Sequence, residues 1–494
     1  MEKHNRMLLL SIDQGTTSTR AMVFEHTGKP VSSHQISFQQ YFPNNGWVEH
    51  DPKEIWQTTL ECCQQAMKRA NAAAKDIAAI GISNQRETTI LWDKKTGEAV
   101  YPAIVWQDRR TAETCEKLAQ CDDIKKMISE KTGLLLDPYF SATKIAWILD
   151  HVPEARKRAE AGELLCGTVD AFLLWKFTEG KVFATDATNA SRTLLFNIHT
   201  QQWDNELLAL FNIPKKILPA VLDSNARFGE TTLLGGVIPI TGIAGDQQAA
   251  MIGQACFTPG MMKSTYGTGC FVVVNTGKEA VHSRHHLLST IAYRINGEVT
   301  YALEGSIFCA GVGMQWLTQN LKLLASAGDS EKIMQETLDT DGVYFIPAFT
   351  GLGAPHWNAD ARAAIVGITR DTQSAHIVRA ALEAVCYQTR DLIEAIKEDF
   401  MMPIQVLHVD GGMTKNNVFL QFLADMVNVP VARNICIETS ALGAAMLAGL
   451  GVGIHHSLQD ITHCIQSEKA IIPITHFDRE KKYHAWQRAV KRVL

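Results

Sequence analysis

The chain has no surplus of positive charge, no cysteines at zinc or redox spacing, no long apolar run and no low-complexity linker. Each of these gaps removes a class of function. Lys and Arg number 47 against 52 Asp and Glu, a formal net charge of −5, which argues against the basic face of a nucleic-acid binder. The eleven cysteines include no C-x-x-C pair and no His–Cys cluster, so reduced thiols and a cytoplasmic setting are expected. Cys166, Cys256, Cys270, Cys309 and Cys386 sit in apolar segments and read as small core residues. Nothing reaches the length of a membrane-spanning helix, and Met7–Ile12 is too short for a signal-peptide core, so no membrane insertion is expected. The longest apolar window, Ala441–Ile454, is rich in Gly and Ala and reads as a closely packed helix ending in a turn. The basic stretch from Arg479 to Arg492 is interleaved with His, Trp and Glu, as the solvated face of a last helix would be. With 494 residues, 46% hydrophobic and 20% charged, the chain is too long for one core and ordinary for a globular protein of two domains.

What is present is a repeated hairpin. In Leu8–Phe24, LLLSIDQGTTSTRAMVF, an apolar run is cut by Asp13, Gly15, Thr16 and Thr17, and a second run returns. Gly15 allows close backbone approach to a ligand, while Thr16, Thr17 and Ser18 add hydroxyls beside free amides. Such a turn suits nucleotide phosphates, and Asp13 at the strand end suits a hydrated Mg²⁺. A plain hairpin with a polar tip is the alternative. Met262–Gly277, MKSTYGTGCFVVVNTG, repeats the order of apolar lead, Gly-Thr-Gly turn and apolar return. One such hairpin opens each half, the mark of an internal duplication.

The β and α patterns alternate steadily, which indicates an α/β protein. Asp51-Pro52-Lys53-Glu54 has the form of a capping box, predicting a helix to about Ala74 that buries Ile55, Trp56, Leu60, Cys63 and Met67. Ala78–Ser83 reads as a buried strand ending at Asn84-Gln85-Arg86-Glu87, and Gly242–Ala249 as a strand end running into a helix. Ile124–Gly133 and Ser141–Asp150 read as helices. Gln405–Asp410 reads as a strand, Gly411-Gly412 as a turn and Asn416–Val427 as a helix. The punctuation Thr258-Pro259-Gly260 sets the best boundary near 253–260, dividing the chain into 1–255 and 256–494, two packed lobes on a continuous hinge.

Several segments resemble the FGGY carbohydrate kinases. One family signature matches Tyr139–Asp150, YFSATKIAWILD, and a second matches Ala363–Glu383, AAIVGITRDTQSAHIVRAALE. GISNQRET (81–88), VWQDRRT (105–111), GIAGDQQAA (242–250), YGTGCF (266–271), VDGGMTKNN (409–417) and ETSALGAA (438–445) resemble the polyol-specific branch rather than the ketose kinases. The similarity runs from about Leu8 to about Val490. It implies two ribonuclease-H-like domains of the actin-like ATPase superfamily with the active site in the interlobe cleft. It also implies ATP-dependent phosphorylation of glycerol to sn-glycerol 3-phosphate, with Mg²⁺, in a homo-oligomer (dimer or tetramer).

The same resemblance assigns roles to residues that are ambiguous alone. Arg86 and Glu87 fit either a surface ion pair or a donor–acceptor pair for vicinal hydroxyls; the family uses them for substrate. Asp246 fits either a helix cap or a general base, and the family makes it the base, with Gln247 binding hydroxyls beside it. Trp106, Tyr139 and Phe271 would otherwise be ordinary core aromatics. By resemblance Trp106 and Phe271 wall the substrate carbons and the Tyr139 hydroxyl bonds to it, leaving little room for a sugar ring. For the nucleotide, Thr16, Thr17 and Ser18 face the phosphates from one lobe and Thr268 from the other. Arg20 adds charge near the transferring group, where a strand-face arginine is the alternative, and Asp13 holds the metal. Gly311 and Gln315 lie in one small-residue turn, and Gly412 and Asn416 in the adenosine corner, where a plain helix start is the alternative.

Two features depart from the family. Some bacterial members carry, before the GIAGDQQ strand, an arginine for an allosteric sugar bisphosphate or a phosphorylatable histidine. Here Asn225–Ile240 has no His, and Val237 stands where the arginine would fall. Met413-Thr414-Lys415 replaces smaller residues in the adenosine corner, with Lys415 expected to point outward. The rival readings are an FGGY kinase for a longer polyol or sugar, and a chaperone-like or cytoskeletal ATPase of the same superfamily. The latter would need a further domain for which the chain leaves no room.

Overall fold

Leu8, Leu10 and Ile12 alternate with Leu9 in one apolar run because their strand is covered on both faces. In the computed structural model, which describes residues 7–494 apart from 350 and 359, this strand lies inside a six-stranded sheet. The order is Gly229–Thr231, Ile238–Gly245, Ile77–Asn84, Leu8–Gln14, Ser18–Glu25, Pro30–Ser37. The last three form an antiparallel meander, and Leu8–Gln14, Ile77–Asn84 and Ile238–Gly245 run parallel. The second half repeats the plan: Leu288–Ile295, Glu298–Ile307, Cys270–Gly277, Met262–Tyr266, Leu407–Asp410, Val431–Arg433. Its hairpin is again antiparallel, and its parallel neighbours again follow a crossover. The duplication legible in the two hairpins therefore extends to whole sheets.

One face of the first sheet packs on the helix Pro52–Arg69, where Ile55, Cys62, Cys63 and Met67 meet Leu8, Leu10, Ile80 and Ile82. Asp51 caps this helix by accepting from the Lys53 amide, with Pro52 in its first turn. The expected capping box is incomplete, however. Glu54 turns away to accept from the Gln39 amide and the Tyr41 hydroxyl, and the helix ends at Arg69 rather than near Ala74. Trp56 and Leu60 are only half-buried, and Thr59 and Ala66 take the inner positions beside them.

The Gly/Ala-rich window forms the helix Thr439–Gly451, which crosses to the other face of the first sheet. Small residues let it approach: a Cβ on Gly81 would lie 1.9 Å from the Ala444 carbonyl oxygen, and one on Gly443 only 1.7 Å from that of Ala249. Leu9, Ala79, Ala244, Ala249, Ala441 and Leu447 share a core here with Val273 and Ala302 of the second sheet. The two halves are joined by packing as well as by the chain. The helix Ser141–His151 belongs to a separate cluster with Leu91, Ile104 and Cys166, strands of a four-stranded sheet built on the first half. Arg479–Val490 is the expected last helix, amphipathic through buried Tyr483 and Trp486. The five cysteines expected in the core are buried. No helix among the described residues is long and apolar enough to cross a membrane.

Candidate active site

The parallel strands of both sheets end at the same cleft, and the hairpin turns meet there. Gly15 closes the first turn with its amide on the Ser18 carbonyl, and Gly267 closes the second on Gly269. Among the described residues, the Thr16, Thr17 and Thr268 amides donate to no protein group, leaving them for an anion. Thr17 and Thr268 are exposed, while Ser18 accepts from the Gln35 amide group at 2.7 Å. Gly311 opens the helix Gly311–Gln319 and donates to the Gly267 carbonyl; a Cβ there would meet that oxygen at 2.6 Å. Gln315 on the same helix is exposed.

Between the turns lies a cavity of about 180 Å³ lined by Arg86, Glu87, Trp106, Tyr139, Asp246, Gln247 and Phe271 together with Thr16, Thr17 and Thr268. Residues far apart in sequence thus converge on one volume. A larger cleft, about 1010 Å³, opens elsewhere between Tyr41, Trp56, Tyr101 and Lys176, away from both hairpins.

Arg86 and Glu87 are not a surface ion pair. Both side chains are 2% exposed and stand 3.9 Å apart. Arg86 instead grips Glu304 with both terminal nitrogens, at 2.5 and 3.0 Å, while its Nε lies 3.2 Å from Asp246 Oδ1 and its Nη2 3.4 Å from the Tyr139 hydroxyl. Glu87 gives Oε1 to Arg192 Nε at 2.7 Å, and its Oε2 has no partner among the described residues. Its backbone sits at φ 59°, the left-handed region, with its carbonyl accepting from the Ser141 and Thr89 hydroxyls. That conformation turns Glu87 inward off the strand end, and Ser141 of the family signature holds it there. Lys144 of the same signature is buried with its ammonium on the Tyr139 and Phe140 carbonyls, and burial pulls it down to about 8. The second signature lies elsewhere: Glu383 pairs with Arg379 at 2.7 Å inside the second half.

Asp246 opens the helix Asp246–Gly253 but caps only the adjacent Gln247 amide; its Oδ2 is free among the described residues and the side chain is 30% exposed. Gln247 accepts at Oε1 from the buried ammonium of Lys263. Lys has donors only, so it fixes the amide with Nε2 toward the ligand side. Trp106 stands edge-on to Tyr139 and to Phe271, at 5.7 and 6.0 Å between centroids, and its indole N–H donates to the Thr16 hydroxyl at 2.9 Å. The aromatic wall is thereby tied to the phosphate hairpin.

Three residues outside the sequence-based set complete this geometry: Arg192, Glu304 and Lys263, all fully buried. Each is a lone charge in an otherwise apolar or small-residue stretch (NASRT, YALEGSIF, MMKSTYG), a pattern that marks a buried charge with a distant partner. Burial would raise the Glu304 carboxyl, but Arg192 and Arg86 outweigh it and hold it at about 2. Burial pushes Glu87 up against the pull of the same two cations.

Asp13 is half-buried at the end of its strand, paired in register with Arg20. Burial, opposed by Arg20 and reinforced by the Asp246 and Asp410 charges, lifts it to about 6. A carboxylate uncomfortable in its own protein suits a divalent cation held by oxygen ligands. Arg20 is paired with Glu438 of the second half and donates to Gln35. At the turn expected to hold adenosine, a Cβ on Gly412 would face open space, whereas Asn416 is buried and caps the helix Asn417–Val427 through the Phe419 amide. The plain helix start accounts for the Asn416 side chain. Lys415 points outward as expected, and Val237 is 60% exposed beside the edge strand.

Residues 8–253 match the N-terminal domain, and residues 262–452 the C-terminal domain, of the FGGY family of carbohydrate kinases. The chain is 58% identical over 489 residues to a glycerol kinase of Coxiella burnetii (strain RSA 493 / Nine Mile phase I), covering 98% of this chain and 97% of that one. It is 57% identical to glycerol kinase 1 of Pseudomonas aeruginosa, with 98% of each covered. Among solved structures, Plasmodium falciparum glycerol kinase with ADP superposes with a TM-score of 0.90 at 40% identity, covering 99% of this chain and 98% of that one. A Lactobacillus acidophilus xylulose kinase, at 22% identity and a TM-score of 0.85, shares the fold. On these grounds the chain belongs to the FGGY family of carbohydrate kinases, with the two-domain, actin-like architecture of that family.

Proposed function

We propose that this protein transfers the γ-phosphoryl group of ATP to a terminal hydroxyl of glycerol, forming sn-glycerol 3-phosphate and ADP in the cytoplasm. The observation that carries the reading is the convergence of Arg86, Glu87, Tyr139, Asp246 and Gln247 with the Trp106 and Phe271 rings on one small cavity against the phosphate hairpins. Its relatives at 57–58% identity are glycerol kinases over their whole length. Residues 1–255 carry the polyol site, Phe271 excepted, and the first hairpin, and 256–494 the second hairpin and the adenosine corner; a dimer or tetramer is the proposed assembly.

Vicinal hydroxyls use the free Glu87 oxygen as acceptor and Arg86, Tyr139 and Gln247 Nε2 as donors. Trp106 and Phe271 cover the carbon chain and exclude water, which limits wasteful hydrolysis of ATP. The attacking hydroxyl meets the free Oδ2 of Asp246, which accepts its proton as the oxygen bonds to phosphorus. The amides of Thr16, Thr17 and Thr268 receive charge that builds on the phosphoryl oxygens. Mg²⁺, held at Asp13, would neutralise the nucleotide phosphates.

A longer polyol or a ketose is the competing acceptor, and the edge-on aromatic pair around Trp106 stands against it. ADP release measured with Mg-ATP and glycerol, beside erythritol, xylitol, xylulose and dihydroxyacetone, tests the reading. Stimulation by glycerol above all others is expected. Stimulation only by a longer substrate would keep the base and overturn the assignment of the walls.

A further inference from the structure

The pair that would grip the substrate hydroxyls does not hold itself in place. Arg86 and Glu87 make no close contact with each other, 3.9 Å at best. Each is instead held by a residue of opposite charge: Arg86 by Glu304, and Glu87 by Arg192. Arg192 closes the chain by reaching Glu304 Oε1 at 3.0 Å. All four side chains are at most 2% exposed. Glu304 stands apart in one respect: it comes from Glu298–Ile307 of the second sheet, while the other three belong to the first half.

Four buried charges are a poor device for stability alone, since well-packed apolar residues of similar size are as good or better. Their geometry suggests another use. Glu304 spends both oxygens on Arg86 and one of them again on Arg192, so the guanidinium of Arg86 is anchored by its far end. Without that anchor, the nearest carboxylates to Arg86 are Asp246 at 3.2 Å and Glu87 at 3.9 Å. Those two carboxylates also carry the oxygens left free for the substrate, Asp246 Oδ2 and Glu87 Oε2. Arg192 likewise occupies Glu87 Oε1 and leaves Oε2 open, while its own Nη1 is buried without a hydrogen-bond partner and its guanidinium lies over the Tyr139 and Phe140 rings at 5.6 and 5.3 Å.

We propose that Glu304 and Arg192 are positioning residues for polyol binding: Glu304 keeps both terminal nitrogens of Arg86 off Asp246 and Glu87, so that only its Nε reaches Asp246 Oδ1, Arg192 orients Glu87, and the placement of Glu304 on the opposite half makes the hydroxyl-binding pair complete only when the halves are docked. This rests on the assignment of Arg86 and Glu87 as hydroxyl ligands. Glu304 is not a catalytic residue in this scheme, because it touches neither substrate nor the reacting atoms.

Steady-state kinetics with glycerol and ATP varied separately, and melting followed in parallel, test it on Glu304→Gln, Glu304→Asp, Arg192→Lys and Arg86→Met. Glu304→Gln should raise KM for glycerol by about tenfold or more and leave KM for ATP within about twofold. Glu304→Asp, which restores the charge, should recover part of the loss. Arg192→Lys keeps the charge but loses the fork, and should raise KM for glycerol in the same selective way; it decides the matter if Glu304→Gln does not fold. A glycerol KM within about twofold of the parent in both Glu304→Gln and Arg192→Lys, with only the melting temperature lowered, would overturn the proposal. Arg86→Met separates the two layers. If it too leaves the glycerol KM unchanged, the site assignment itself has failed; if it alone raises that KM, only the positioning role has.

Discussion

Two residues before the turn glycine stands Asp13 in the first hairpin and Thr265 in the second. The neighbouring parallel strand places Ser83 beside Asp13 but Asp410 beside Thr265. The duplicated sheets thus each carry one carboxylate at this level, displaced by one strand between the halves. Their surroundings differ accordingly. Asp410 is buried and accepts from Gln254, at the end of the first half's last helix, and from Thr439, at the start of the Gly/Ala helix. Asp13 is half-buried at its strand end and feels the charges of Arg20, Asp246 and Asp410. One copy fastens the halves together, and the other is the carboxylate proposed to hold Mg²⁺. A duplicated fold can divide binding from bracing in this way by moving a single charge across one strand.

The largest expected effect comes from the carboxylate that the second half lacks altogether, Asp246. Asp246→Asn should lower turnover by ~10²–10⁴ with ATP still bound. Near-parent turnover in that variant would remove Asp246 from the role of base.

Exchanging the two strand-end carboxylates sharpens the contrast. Asp13→Asn should raise the Mg²⁺ concentration needed for half-maximal activity by about tenfold or more and leave the fold intact. Asp410→Ala should do the reverse. By stranding the Gln254 and Thr439 donors it should cost about 1–3 kcal/mol of stability, with the Mg²⁺ requirement unchanged. A raised Mg²⁺ requirement in Asp410→Ala and not in Asp13→Asn would invert the comparison.

The raised Asp13 makes a pH test possible. Its folded value of about 6 lies above the unfolded 3.8, so the folded state keeps its proton longer. The group's contribution is therefore favourable at low pH and is lost as pH rises through about 6. Removing the charge should raise the melting temperature of the ligand-free protein near pH 7, with the gain fading toward about pH 4. An equal gain at both pH values would show that the charge is not what destabilises this position.

Much of this division was legible in the sequence because it is local. Gly15, Thr16 and Thr17 specify a turn by their own conformational preferences, and the repeat at Gly267–Gly269 reports the duplication. Asp51 was recognisable as a cap, but the return contact of Glu54 was not, because Gln39 and Tyr41 compete for it from another segment. The same reason hid Arg192 and Glu304. Their partners lie 105 and 218 residues away, and no periodicity encodes such a contact. Arg86 and Glu87 misled in the opposite sense: adjacency in sequence suggested a pair, while a left-handed backbone at Glu87 turns the two apart. Asn416 shows the limit of a motif match, since its side chain is spent on a cap.

The smallest expected effect lies in that adenosine corner, where two adjacent glycines do different work. Gly411 has φ 92°, and a Cβ there would lie 2.4 Å from the Tyr266 carbonyl oxygen, so the hairpin strand of the second half packs against it. Gly412 has nothing within 4 Å of its Cβ position. Gly411→Ala should therefore destabilise the second half by about 1–3 kcal/mol or more. Gly412→Ala should leave melting unchanged, because the added methyl meets no protein atom. If the nucleotide base lies against this turn, the same methyl intrudes on the ligand, and KM for ATP should rise a few-fold with KM for glycerol unaffected. An unchanged KM for ATP would place the adenosine away from Gly412 and leave the first glycine as the sole reason for the motif in this chain.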